Sequence, residues 1–365
     1  MSDSKMYTPI LRWKAAEKEA LQELKDENKN FIIPLLELLM PQPKKAKKGE
    51  APKVQSPAEL LIESVEIFES TSNEIAQDIK KHWGNKPFFL DFKLLHAPII
   101  LEGLKNVLTT GASAGISTIP VMHLSYDADI KNGIISLAKK HGAELCLRLS
   151  RSDISEDSIT TKINEFLKIY DLQEETIHLI VDLKITDEDY SILTGYISRI
   201  PSINKWKTFA IASGAFPPDL TQFTTPDLYR IPRTDWTSWV NLIKNLTRKP
   251  SFADYTIQHP IYKEPTGNVN PSASIRYTTD FEWMIMRGRG LRSPKSGGFA
   301  QYPPQAKLLS DQPEFAGAGF CFGDDYIEEK GKDIHTKKTG TPRTWLRAGI
   351  NRHLACTVAQ LASLT

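Results

Sequence analysis

The sequence predicts an α/β chain folded as a (β/α)8, TIM-barrel-like structure. Apolar runs of strand length recur eight times and end in polar or charged residues. Most are followed by a stretch with the apolar period of an amphipathic helix. The runs are rich in Ile, Val, Leu and Phe with few polar interruptions, as in a parallel sheet covered on both faces. Functional groups in such barrels sit at the C-terminal strand ends. The pattern therefore locates chemistry before any motif says which chemistry.

The runs are residues 7–14, 31–37, 88–91, 119–123, 145–148, 179–182, 208–213 and 252–255. The first leads into residues 14–24, rich in strong helix formers, with Ala16, Ala20, Leu21 and Leu24 on one face. After the second, residues 41–50 carry two prolines and four lysines, which reads as an exposed loop; its alternative use is an arm touching phosphate. Ser56-Pro57 opens a helix expected to run to about His82, with Pro57 at the first helical position. Helical patterns occupy about 97–110, 129–141, 155–170 and 187–199, with Gly111 and Gly142 placed as left-handed caps. Another helix, around Trp236, Trp239, Val240 and Leu242, follows the seventh strand.

Alternation stops after His259-Pro260. Residues 261–340 are rich in Gly, Pro, Ser and Lys with weak helical periodicity; within them, 274–278 and 282–287 read as a hairpin turning at Thr279-Asp280. From Thr341-Pro342 to Leu364 the chain reads as a helix with Leu346, Ile350, Leu354, Val358 and Leu361 on one face. The domain expectation is a barrel from 1–260 plus 341–365. Residues 261–340 are then an expanded, partly irregular insertion after the eighth strand that covers the mouth. A separate small C-terminal domain is the competing interpretation.

Bulk properties exclude some classes. A net charge of +2 over 365 residues gives no footprint for wholesale nucleic-acid binding. Cys146, Cys321 and Cys356 lie far apart, which fits a reducing compartment better than a disulfide framework. Residues 1–5 are polar, and no apolar run approaches the ~20 residues needed to span a bilayer. A soluble, cytoplasmic protein without membrane association is the expectation. Oligomeric state is not indicated.

Taken together, Lys14, Glu37, Asp91, His123, Arg148, Asp182, Lys184, Ser213, Asp254 and His259 fall at or just past strand ends, and a closed barrel brings them to one mouth. Carboxylates, cations and a histidine can bind phosphate, hold a divalent metal or run acid–base chemistry. Each also has a plain explanation: Glu37 can pair with Lys14 or Lys93, Asp91 and Asp182 can cap turns, Arg148 can neutralise either, and His123 can be a satisfied core histidine. Metal chemistry has no diagnostic spacing here, since HxH, HExxH and CxxC are all missing; Glu37, Asp91 and Asp182 could still hold Mg²⁺ or Ca²⁺ through oxygen. A GxSxG elbow and a GxGxxG fingerprint are also missing. In the C-terminal third, Arg276 and Arg287 beside Tyr277 and Trp283 suit a planar anionic ligand.

The stretches 7–14, 32–37, 253–255, 275–279, 322–324 and 345–353 resemble the "Beta protein" family of bacteria and their phages. The resemblance spans nearly the whole chain and is most specific in the opening stretch and in Asn351-Arg352-His353. It implies a setting in phage–host conflict, not a reaction. Three readings follow. One is a binding protein that holds an anionic ligand or partner at the mouth: a phosphate-containing ligand, a nucleic acid or a protein. A second is a metal-assisted phosphodiesterase or nuclease-type hydrolase with Glu37, Asp91 and Asp182 as catalytic groups and Lys14, Arg148 and Arg276 on the phosphate. The third is a scaffold with an inert mouth.

Overall fold

The computed structural model describes residues 5–43, 56–186, 190–264, 270–293 and 295–364. Eight parallel strands close into a barrel: β1 (Tyr7–Arg12), β2 (Leu35–Glu37), β3 (Phe88–Asp91), β4 (Thr118–Met122), β5 (Leu145–Ser150), β6 (Ile177–Ile185), β7 (Thr208–Gly214) and, after β8 (Asp227–Pro232) has left for another sheet, β9 (Ser251–Asp254). β9 pairs with both β7 and β1, which closes the ring. Side chains alternate across each strand. Ile10, Leu35, Phe89, Val121, Cys146, Ile180, Ala212 and Ala253 therefore fill the interior as one apolar cluster. One inward step further along, the same alternation delivers Arg12, Glu37, Asp91, His123, Arg148, Asp182 and Tyr255. The apolar interior is a packed core, and polar chemistry begins only above it.

Helices cover the outside. α1 (Ala15–Gln22), a short α2 (Asp26–Lys29), α3 (Pro57–Thr71) and α4 (Ile75–Trp83) serve the first strands; α5 (Ile100–Ala114), α6 (Ala128–His141), α7 (Arg151–Ser155), α8 (Ile159–Tyr170), α9 (Tyr190–Ser198) and α10 (Thr234–Leu242) follow. The helix expected over 57–82 is two helices. Ser56 and Glu59 form a capping box with Pro57 in the first turn, but the Ser70 and Thr71 hydroxyls bond back to the Ile67 carbonyl and the chain tightens into a 3₁₀ turn at Ser72–Glu74. Gly142 does close α6 in the left-handed region, at φ 63°. Gly111 does not cap: it lies inside α5, where an added Cβ would stand 3.0 Å from Ile116 Cγ1, and Gly115 takes the cap at φ 70°. The pattern over 155–170 likewise divides, because Ser150 and Asp153 box a separate turn ahead of α8. The lysines at 44, 45, 47 and 48 lie outside the described residues.

β10 (Ile275–Thr278) and β11 (Glu282–Arg287) form the expected antiparallel hairpin, and β8 adds to β11 in the order β10-β11-β8. One face of this sheet lies against the barrel exterior through Trp283 and Ile285. The other makes a second core, where Ile275, Tyr277, Met284 and Met286 meet Tyr302, Leu309, Ile327 and Trp345. That second core is completed by α11 (Tyr302–Ser310), α12 (Phe322–Gly331) and α13 (Pro342–Ser363). α13 is wedged between barrel wall and sheet, which is why Ile350, Leu354, His353 and Arg352 are buried on different faces of one helix. Among the described residues, no helix is long and apolar enough to cross a membrane.

Candidate functional site

At the C-terminal end of the barrel the guanidinium of Arg148 is the hub. Nη1 donates to Asp91 Oδ2 at 2.6 Å and Glu37 Oε1 at 3.0 Å; Nη2 donates to Asp182 Oδ2 at 2.7 Å and the Tyr255 hydroxyl at 2.9 Å; Nε donates to Asp182 Oδ2 at 3.1 Å. A guanidinium has five N–H donors, so all of them are engaged. Tyr255 in turn donates to Asp182, and Arg12 Nε stands 4.0 Å from Glu37 Oε2. Arg12 also reaches the Gln258 side chain and the His259 and Pro260 carbonyls, tying the loop after β9 to the floor. Glu37, Asp91, Arg148 and Asp182 are each at most 3% exposed.

Burial alone would raise the carboxylates, and the cations outweigh it. Asp182 is held down at about 2, with Arg148 and Lys184 the main opposing charges. Asp91 is likewise lowered against burial, by His123 and Arg148. Arg148 is pushed up, its burial outweighed by Asp182, Tyr255, Glu37 and Asp91. Asp91, Asp182 and Arg148 are thus held in their charged forms. Such a set does not fit a divalent metal, because each carboxylate already gives one oxygen to the buried Arg148 cation, which stands where the metal would. Among the described residues no group of three or more His, Cys, Asp or Glu is placed to hold one.

Above the floor stand groups with free surface. Lys184 sits where the β6 ladder slips between Asp182 and Ile185, at φ 61°; this bulge aims its ammonium at the Tyr255 hydroxyl (2.8 Å) and Asp182 Oδ2 (3.1 Å). Lys14 reaches the Tyr262 hydroxyl at 2.8 Å, with Glu264 at 3.7 Å. Lys93 bonds Ser125 and lies over the Tyr126 ring at 4.8 Å. Lys14 and Lys184 are similarly seated over the rings of Tyr262 and Tyr255, at 4.7 and 4.9 Å. His123 Nε2 meets the Asp91 carboxylate at 3.0 Å, and its ring packs edge-on against Tyr126.

The sequence reading is thus altered at several positions. Glu37, Asp91, His123, Arg148, Asp182 and Lys184 do meet at one end. Glu37 pairs with Arg148 and Arg12, not with Lys14 or Lys93. Arg148 has no donor left for a ligand. Asp254 faces away from the mouth: alternation gives the inward place to Tyr255, and Asp254 points behind the wall to the Tyr7 hydroxyl and His353 Nε2, each at 2.6 Å. Ser213 faces outward too, beside Leu183 and Trp239. Arg276 and Arg287 belong to the small sheet; Arg276 donates to the Ile257 carbonyl and stacks over Phe216, and Arg287 donates to the Leu220 carbonyl. Arg12, Tyr255 and the three tyrosine-seated lysines as a set were missed. Counting inward positions back from the strand tip would have found Arg12 in place of Lys14.

The Beta protein family model matches residues 7–359. The chain belongs to the Beta protein family. Motifs through which the resemblance was read fall on the floor and on its support: Arg12 and Glu37 at the mouth, and Asn351 and His353 on α13. No curated relative matches the chain. Solved structures similar to this Beta protein family member include two mutant tryptophan synthase α-subunits from Pyrococcus furiosus. Each is 14% identical and covers 70% of this chain and 89% of its own, with TM-scores of 0.39 and 0.41. A tryptophan synthase complex from the same organism matches at 13% identity, 70% and 90% coverage, and TM-score 0.38.

Proposed function

We propose that the protein binds an anionic ligand at the C-terminal mouth of its barrel, beside the loop that brings Tyr262 and Glu264 to Lys14, and that it acts in phage–host conflict, the setting implied by the family resemblance. One observation carries the binding reading. The carboxylates of the floor are buried beneath Arg148 and Arg12, while the ammoniums of Lys14 and Lys184, 3.7 Å from Glu264 and 3.1 Å from Asp182, are on side chains 43% and 41% exposed, and Lys93 lies over the Tyr126 ring. The basic side chains of this end, not the floor carboxylates, are therefore the groups that reach solvent. Seating each ammonium on a tyrosine face holds it in place without neutralising it.

The test is titration calorimetry with ATP and with a short single-stranded oligonucleotide. Wild-type protein binds at least one of them, and Lys14→Gln/Lys93→Gln/Lys184→Gln weakens it about tenfold or more, since each charge-assisted contact contributes on the order of 1.5 kcal/mol. Absence of binding by the wild type, or an unchanged triple variant, sinks the reading.

A second reading is favoured by the Asp91–His123 contact. A histidine whose Nε2 is oriented by a buried carboxylate has its other ring nitrogen for proton transfer. If the mouth also performs acid–base chemistry on its ligand, His123→Asn abolishes turnover while leaving affinity for the anion within about twofold. A metal-assisted version is disfavoured by the commitment of all three carboxylates to Arg148.

A further inference from the structure

The small sheet carries two cations that the floor does not use. Ile275 pairs with Met286, so Ser274 stands opposite Arg287, and Arg276 lies two residues along on the same face. That face looks onto the barrel. Arg276 Nη1 donates to the Ile257 carbonyl, just past the eighth barrel strand, at 2.7 Å; its guanidinium lies 4.7 Å over Phe216, just past the seventh. Arg287 Nε donates to the Leu220 carbonyl at 3.0 Å, and Nη1 to Ser274 Oγ at 3.3 Å. Both guanidiniums are thus fixed by carbonyls, a hydroxyl and a ring.

Neither has a carboxylate within ion-pair distance among the described residues. The charge of Asp219 acts on Arg287, and its carboxylate accepts from the backbone and hydroxyl of Thr221. Burial, and then the charge of Arg287, lower Arg276 to about 10. Two guanidiniums without an ion pair, set on one face by the strand register, are a site awaiting an anion. The loops after the seventh and eighth barrel strands are also where barrels of this class place phosphate.

We infer that Arg276 and Arg287 form a subsite for a doubly charged tetrahedral oxyanion, the phosphate monoester end of the ligand that enters at the mouth. A carboxylate would neutralise one guanidinium; a dianion matches both. The inference rests on the mouth reading for how the ligand arrives, and it adds the ligand's chemical class.

Inorganic phosphate is the probe, with acetate as the monoanion control, titrated by calorimetry at pH 7.5. Wild-type protein binds phosphate at least about tenfold more tightly than acetate. Arg287→Gln loses that preference. Arg276→Lys, which keeps a donor for Ile257 and so spares the fold, loses about tenfold in phosphate affinity, because the fork is gone. The inference is overturned if wild type does not prefer phosphate, or if both arginine variants bind it like wild type. Phosphate lost only in the triple lysine variant places the anion at the rim: the mouth reading stands and this one falls. Phosphate retained by the triple lysine variant, with ATP binding also unchanged, leaves this inference standing and removes the rim.

Discussion

Replacing Arg148 with Leu removes the one side chain among the described residues that touches all three floor carboxylates. Five donated bonds disappear, and Glu37, Asp91 and Asp182 are left in a site at most 3% exposed with Arg12, Lys184 and His123 as partial compensation. Stripping one partner from a buried ionic network costs about 3–5 kcal/mol. Against a typical stability of about 5–15 kcal/mol this is a large fraction. The sign of the pH dependence identifies the cause. In the wild type Asp182 lies below its unfolded value, at about 2, so its contribution is present above about pH 4 and is lost as the pH falls toward 2. In Arg148→Leu the carboxylates keep the burial and lose the cation, so the folded state binds protons more tightly than the unfolded chain. The gap in stability between variant and wild type should then be narrower at pH 5 than at pH 7. Urea unfolding followed by tryptophan fluorescence at the two pH values measures both. A loss below about 1 kcal/mol at pH 7, or an equal loss at pH 5 and pH 7, would refute the charged-floor account.

Asp254→Asn should destabilise the protein by roughly 2 kcal/mol through its buried contacts to Tyr7 and His353 and leave anion affinity unchanged, because this side chain lies behind the wall; urea midpoints and calorimetry separate the two effects. Gly349→Ala would put a Cβ 2.7 Å from the Arg276 carbonyl and 2.8 Å from Ile257 Cδ1, pushing α13 off β10 at a cost of about 1–3 kcal/mol in the same unfolding assay. Asp235 is fully buried and raised to about 7 by that burial, against the pull of Arg233, so the folded state holds a proton that the unfolded chain releases near pH 4. Stability should therefore fall as the pH rises through about 4 to 7, and Asp235→Asn should flatten that slope.

The barrel was legible because its signal is redundant: eight apolar runs separated by helices leave few other arrangements. The polar tips were legible as a group but not one by one. A strand tip shows that a residue is near the rim, and only its parity shows whether it points inward, so Tyr255 was passed over for Asp254 and Arg12 for Lys14. β8 was missed because its exposed and half-buried residues, Asp227, Leu228, Tyr229 and Arg230, lack a clean alternation. α11 was hidden by Pro303 and Pro304, which read as breakers although they occupy its first turn. The saturation of Arg148 is a matter of three-dimensional partners, and nothing in the spacing of Glu37, Asp91 and Asp182 announces it.

β8 precedes the last barrel strand in the chain, yet its hydrogen-bonding partner, β11, follows that strand. The two modules are interleaved, so neither can be cut out as one continuous segment without leaving the other a raw edge. A chain emerging from the ribosome must carry β8 unpaired until Glu282–Arg287 has been made, a window in which another copy's strand can take its place. The same stitching forbids the small sheet from swinging open like a door.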